Sequence, residues 1–129
     1  MARQHVTSGA PWEDTVGYSR AIRVGDHIHV SGTTALDDAG EVVGIGDAGR
    51  QTEVALEIIE AALEEAGASI DDVVRTCIYV TDVEDTDAVG AAHGAVFGEV
   101  KPASTMVEVS GLVVPEMLVE IEATAIIQD

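Results

Sequence analysis

Apolar residues recur at every second position in some stretches of the chain and at every third or fourth in others, the periods of strands and helices. The clearest strand signal covers 118–127, where Val119, Ile121, Ala123 and Ala125 alternate with Glu120, Glu122 and Thr124. Another covers 27–33, with Ile28 and Val30 on one face and His27, His29 and Ser31 on the other. A short strand over 20–24 precedes it, and Gly25-Asp26 between them is a tight hairpin turn. Residues 73–81 are rich in β-branched side chains and read as a strand. Pro102 opens one more, over 103–110.

Helical spacing runs from Asp47 or Arg50 to Ala66. Ala55, Ile58, Ile59, Ala62 and Ala66 form the dry stripe, and Glu53, Glu57, Glu60 and Glu64 the wet side. Gly67 stands where a left-handed C-terminal cap belongs. Asp82, Glu84, Asp85 and Asp87 crowd the start of a second helix, at its positive dipole end. Its inner stripe is Val89, Ala92, Val96 and Phe97, and it stops near Gly98. Asp37-Asp38-Ala39-Gly40 is a turn.

The order β-β-α-β-α-β-β, with one more strand over 4–8, predicts an α+β domain. Its mixed sheet has about six strands and two helices packed on one face. The other face must meet solvent or a second subunit, and edge strands this apolar argue for a partner.

At 129 residues and 13.4 kDa the chain has the size of a single domain, 1–129. Apolar residues make up 47%, but only one Trp, two Tyr and one Phe are aromatic, so the core must be aliphatic. No apolar run approaches the roughly 20 residues of a membrane span. Met1-Ala2-Arg3-Gln4-His5 has no stretch of signal-peptide type. A single cysteine, Cys77, makes no internal disulfide and sits in an apolar strand as a small core residue. A cytoplasmic location is therefore expected.

Charge alters the picture most. Six Lys and Arg against 24 Asp and Glu give a net −18, spread along the whole chain. Such a surface fits a halophilic protein, since self-repulsion is screened to within about 3 Å at 1 M salt. The alternative is a cationic partner. Nucleic acid is disfavoured either way, because phosphate contacts need clustered Lys and Arg, and the five arginines form no run.

Few motifs point to chemistry. His27-x-His29 offers half a metal site with no third ligand at a telling spacing. Gly44-x-Gly46-x-x-Gly49 has the letters of a dinucleotide fingerprint without its βαβ setting. His93 reads as a packed or surface residue. Glu120 and Glu122 say more: two carboxylates on one face of an apolar strand raise each other's pKa. A solvated acidic face would look the same.

Several segments together resemble the Rid (RidA/YjgF) family. They are Val16-Gly17-Tyr18-Ser19, Ile28-His29-Val30-Ser31-Gly32, Leu63-Glu64-Glu65-Ala66-Gly67-Ala68-Ser69, and the run from Asp72 to Asp82. Lys101-Pro102-Ala103-Ser104-Thr105-Met106-Val107-Glu108-Val109 and Val119-Glu120-Ile121-Glu122-Ala123 follow in order. The resemblance implies a chorismate-mutase-like fold and a homotrimer with a small-molecule ligand in each inter-subunit cleft. It also implies cofactor-free hydrolysis of reactive imines and enamines, such as 2-aminoacrylate, to carbonyl compounds and ammonia. Carried over residue by residue, Tyr18 and Glu120 are the catalytic candidates. Ser31, Gly32, Ser104, Thr105 and Met106 are the substrate-binding ones. Neither metal, nucleic acid nor membrane is implied.

The departure is at Ser104. Family deaminases place an arginine there to grip the substrate carboxylate, and serine cannot reproduce that fork. Gly90 likewise replaces an asparagine, and Met106 stands where cysteine is common. The expectation is an imine or enamine hydrolase with altered specificity. The alternatives are a non-catalytic trimer that binds a metabolite or partner and, less favoured by charge, a ribonuclease or translation inhibitor.

Overall fold

A computed structural model describes residues 2–128. Eight regular elements follow one another: β1 (Arg3–Val6), β2 (Ala21–Val24), β3 (His27–Thr33), α1 (Ala48–Glu65), β4 (Val73–Val80), α2 (Thr86–Phe97), β5 (Ala103–Glu108) and β6 (Val119–Ile126). Short helical turns lie at Glu13–Gly17, Ile70–Asp72 and Val83–Asp85.

The strands form one six-stranded sheet in the order β1-β2-β3-β6-β4-β5. All neighbours are antiparallel except β4 and β5, which are parallel across the α2 crossover. The alternation in β6 becomes a strict division. Val119, Ile121, Ala123 and Ala125 are buried with Ile28 and Val30 of β3, under Ala55, Leu56, Ile59 and Leu63 of α1 and Val89 and Phe97 of α2. Both helices cover that face. The opposite face carries Glu120, Glu122 and Thr124 and is covered by neither helix.

Helix α1 begins at Asp47, whose Oδ1 accepts from Arg50 N at 3.0 Å. It ends with Gly67 at φ +91°, where Ala68 N donates to Leu63 O at 2.8 Å and Gly67 N to Glu64 O at 3.0 Å. That is the paired closure a left-handed residue allows. Within α1, Gln51 is fully buried. Its Nε2 donates to Gly44 O and Glu116 O at 3.2 and 3.0 Å, and its Oε1 accepts from Leu118 N at 2.8 Å. One side chain thus ties the loop before α1 to the entry of β6.

The sequence expectations meet some corrections. Val96, placed on the inner stripe of α2, is 37% exposed, while Val89, Ala92 and Phe97 are buried. Cys77, expected in the core, lies on the uncovered side, because Thr76, Ile78 and Val80 take the helix-facing positions of β4. The strand expected over 103–110 ends at Glu108, and that over 4–8 is Arg3–Val6. The Gly44 to Gly49 motif is a loop entering α1 next to antiparallel strands, not the turn of a βαβ unit.

Candidate active site

The site is built around an irregularity in β3. Val30 pairs with Ala123 and Thr33 with Ile121, so Ser31 and Gly32 together oppose Glu122. This bulge lets Val30 and Thr33, three residues apart, both face the core. It also turns the backbone of Gly32 toward Glu120. The Glu120 carboxylate occupies the space that a Cβ at residue 32 would need, so only glycine leaves the carboxylate its seat.

Neighbouring side chains fix the bulge. Ser31 N donates to Arg20 O at 3.0 Å, and Ser31 Oγ donates to Ser19 O at 2.7 Å. Arg20 Nη2 donates to Gly32 O at 2.5 Å. Arg20 Nε is buried and has no hydrogen-bond partner. Burial pushes the Arg20 pKa down, against the pull of Tyr18, Glu13 and Glu120. Glu13 is itself buried, accepting from Ser8 N and Ser8 Oγ. It anchors the short helix Glu13–Gly17 that delivers Tyr18, whose N donates to Glu13 O at 3.0 Å.

Electrostatics set Glu120 apart from the other acids. Desolvation raises its pKa most, the Glu122 charge raises it further, and the Arg20 guanidinium pulls it back. Glu122 accepts a 2.7 Å hydrogen bond from Tyr79 OH, which holds the phenol up at about 12. A cavity of about 570 Å3 opens here. Trp12, Val16, Leu36, Val113 and Met117 give it apolar walls, and Tyr18, Arg20, Ser31, Gly32 and Glu120 a polar floor.

Tyr18, Ser31, Gly32 and Glu120 therefore come together. The three candidates on β5 do not join them within one chain. Ser104 pairs with Thr76 and accepts from Thr76 Oγ1 at 2.7 Å, on the helix side of the sheet. Thr76 Oγ1 also lies 3.0 Å from His93 Nε2. His93 packs on Phe97, and its pKa is lowered by burial. Met106 packs against the core. Thr105 is on the open face, accepting from Arg75 Nη2 at 3.3 Å. Arg20 and Glu13 carry no sequence signal for this role: Arg20 meets Gly32 O only through the bulge, and Glu13 is tied down by Ser8 in the loop after β1. Among the described residues, no group of three or more His, Cys, Asp or Glu is placed to hold a metal ion.

Residues 9–127 match the family described as endoribonuclease L-PSP. The chain belongs to this family, the Rid/YjgF family. It is 45% identical over 109 residues to a RutC family protein of Pyrococcus abyssi, covering 84% of each chain. The 3-aminoacrylate deaminase RutC of Acinetobacter baylyi is 38% identical over 84% of this chain and 85% of its own. Among solved structures, a Mycobacterium tuberculosis member of the YjgF/YER057c/UK114 family superposes with a TM-score of 0.89 at 47% identity. It covers 98% of this chain and all of that one, counted as 100%. The YjgF gene product of E. coli gives 0.84 at 31% identity, over 98% and 100%. The α+β fold of this Rid/YjgF member is thus that of its relatives. No helix among the described residues is long and apolar enough to cross a membrane.

Proposed function

We propose that this chain hydrolyses reactive imines and enamines to carbonyl compounds and ammonia, with a preference for neutral or cationic imines over small imino acids. The observation that carries the reading is the Glu120 carboxylate, seated over Gly32 in a cavity and held at a raised pKa. A carboxyl tuned upward exchanges protons closer to neutral pH, as a general acid–base must.

An enamine first takes a proton on carbon from the protonated Glu120 carboxyl, which is left ionised, to become an iminium ion. Glu120 then removes a proton from water as the water oxygen bonds to the C=N carbon and the π pair moves to nitrogen. The carboxyl returns that proton to nitrogen. The C–N bond breaks as the carbonyl forms, and the departing ammonia takes the hydroxyl proton to leave as ammonium. Tyr18 OH and Ser31 Oγ orient the substrate, and no cofactor enters the scheme.

Specificity follows from charge. Arg20, the cation at the cavity floor, is shared among the Gly32 carbonyl, Glu13 and Glu120, and Glu122 adds a further negative charge. A carboxylate on the imine carbon meets net repulsion there, whereas an iminium ion is attracted. Ser104 supplies no guanidinium to reverse this. A homotrimer also fits: β5 is an exposed edge strand, from which a second copy would present Ser104 to the Glu120 cavity. The −18 charge disfavours RNA as substrate.

The test is an ammonia-release panel of 2-aminoacrylate, 3-aminoacrylate and neutral cyclic and acyclic imines. Turnover of the neutral imines above the amino acrylates is expected. Installing the fork by Ser104→Arg should raise 2-aminoacrylate turnover tenfold or more, as a charge-assisted pair of about 1.5–3 kcal/mol allows. Equal rates on every substrate, unchanged by Ser104→Arg, would contradict the reading.

A further inference from the structure

Between α2 and the sheet, three polar side chains form a chain that ends at the surface of β5. Thr76 on β4 pairs in register with Ser104 on the edge strand. Thr76 is fully buried, and its Oγ1 lies 2.7 Å from Ser104 Oγ and 3.0 Å from His93 Nε2. His93 is partly buried on α2, its ring centroid 4.6 Å from that of Phe97. Ser104 is exposed. The exposed hydroxyl is thus joined to an imidazole through an oxygen that solvent does not reach.

Proton counting gives this chain a direction. Thr76 Oγ1 carries one hydrogen, so it donates to one of its two neighbours and accepts from the other. Burial disfavours the imidazolium ion and lowers the His93 pKa, which leaves the ring a single N–H. If Ser104 donated inward, Nε2 would be an acceptor and the N–H would sit on Nδ1. Among the described residues Nδ1 has no acceptor, since His93 meets the protein's polar groups through Nε2. The opposite order runs from Nε2–H to Thr76 Oγ1 and from the Thr76 hydroxyl to Ser104 Oγ. It satisfies each buried donor and leaves only a lone pair on Nδ1, which is better tolerated than a stranded N–H. The Ser104 O–H is then the one donor left over, at the surface, and successive hydrogen bonds behind it strengthen it.

We infer that His93 and Thr76 set Ser104 as an oriented hydrogen-bond donor that selects substrates carrying a neutral oxygen acceptor, a ketone or amide oxygen, beside the C=N carbon. The inference rests on the proposed cleft, in which a second copy presents Ser104 to the Glu120 cavity, and it sharpens the specificity of that site. It does not depend on hydrolysis taking place. Ser104 touches the substrate, while Thr76 and His93 are positioning residues that act through it. A carboxylate could accept from the same hydroxyl but would also meet Glu120 and Glu122. An alkyl group in that place would leave the Ser104 O–H without a partner in the occupied cleft, which is where discrimination arises.

The first arm of the test is long-range proton–nitrogen NMR correlation of the histidine rings at neutral pH. His93 should be neutral with its proton on Nε2, and a proton on Nδ1 would overturn the inference. The second arm titrates two stable ketones of similar shape, pyruvamide and isopropyl methyl ketone, of which only the first has the extra oxygen. Wild type should bind pyruvamide roughly three- to tenfold more tightly, the worth of one neutral hydrogen bond. Ser104→Ala, at an exposed position, should bring the two affinities together. Thr76→Val and His93→Phe should remove most of the preference with Ser104 still present, whereas Thr76→Ser should keep it. In the Ser104→Ala background Thr76→Val should change the preference no further, because Thr76 acts through Ser104. A preference that survives Ser104→Ala, or a Thr76→Val loss equal for both ketones, would overturn the inference. Neither ketone needs turnover. An imine panel without ammonia release, beside a preference that follows Ser104, removes only the hydrolysis; released ammonia without such a preference removes only this inference.

Discussion

Glu120 is governed by three neighbours of different kinds: the bulge backbone that buries it, Glu122 that repels it and Arg20 that offsets both. The raised pKa fixes the sign of two effects. The native state holds the proton to higher pH than the unfolded chain, so this group's contribution to stability is full below the ordinary 4.5 and is lost as pH rises through the folded value. Glu120→Gln should therefore raise the melting temperature at pH 8 and change it little at pH 4, even as it removes the proposed base. If the ionised carboxylate is the base, the acidic limb of kcat/KM lies above 4.5. Arg20→Gln removes the one charge that lowers Glu120, so it should move that limb to still higher pH. Carboxyl 13C titration of Glu120 gives the same readout without a substrate, and an unmoved midpoint would remove Arg20 from this role. Tyr79 offers a parallel check: Glu122→Gln should bring the tyrosine held near 12 back toward 10, seen by ultraviolet titration.

The strands and helices were legible because their burial repeats with a fixed period, as in the clean alternation of β6 and the apolar stripe of α1. The bulge was not. Alternation continues through Ser31 in the sequence, and only pairing with β6 shows that Ser31 and Gly32 count as one position. Residues that depend on distant partners were equally silent: Gln51 meets Leu118 N across 67 positions. Val96 was misplaced because α2 is short and apolar nearly all round, so its period points weakly inward. Gln51→Ala should leave Gly44 O, Glu116 O and Leu118 N unpaired in the interior. A loss of about 2–4 kcal/mol is expected, at roughly 1–3 kcal/mol per stranded group with part recovered by water. Chemical denaturation measures it. Gly32→Ala forces Glu120 from its seat and should cost activity more than stability.

For the molecule as a whole, family and fold were readable from the order of short segments, whereas the distribution of charge between the sheet faces was not. Composition alone gives −18; the fold concentrates Arg3 and Arg75 on one uncovered face and shares Arg20 between two carboxylates. If the acidic surface is adapted to salt, the melting temperature should climb steadily between 0.1 M and 2 M KCl, and a flat profile would remove that explanation. Sedimentation at the same salts tests the proposed trimer. Glu120, as the group that handles the water proton, is the central proposal. Its most direct test is the steady-state release of ammonia from the best imine by the wild type and by Glu120→Gln. A fall in kcat/KM of about 10²–10⁴-fold, the usual share of a positioned acid–base group, is predicted. Unchanged turnover by Glu120→Gln on every imine tried would contradict it.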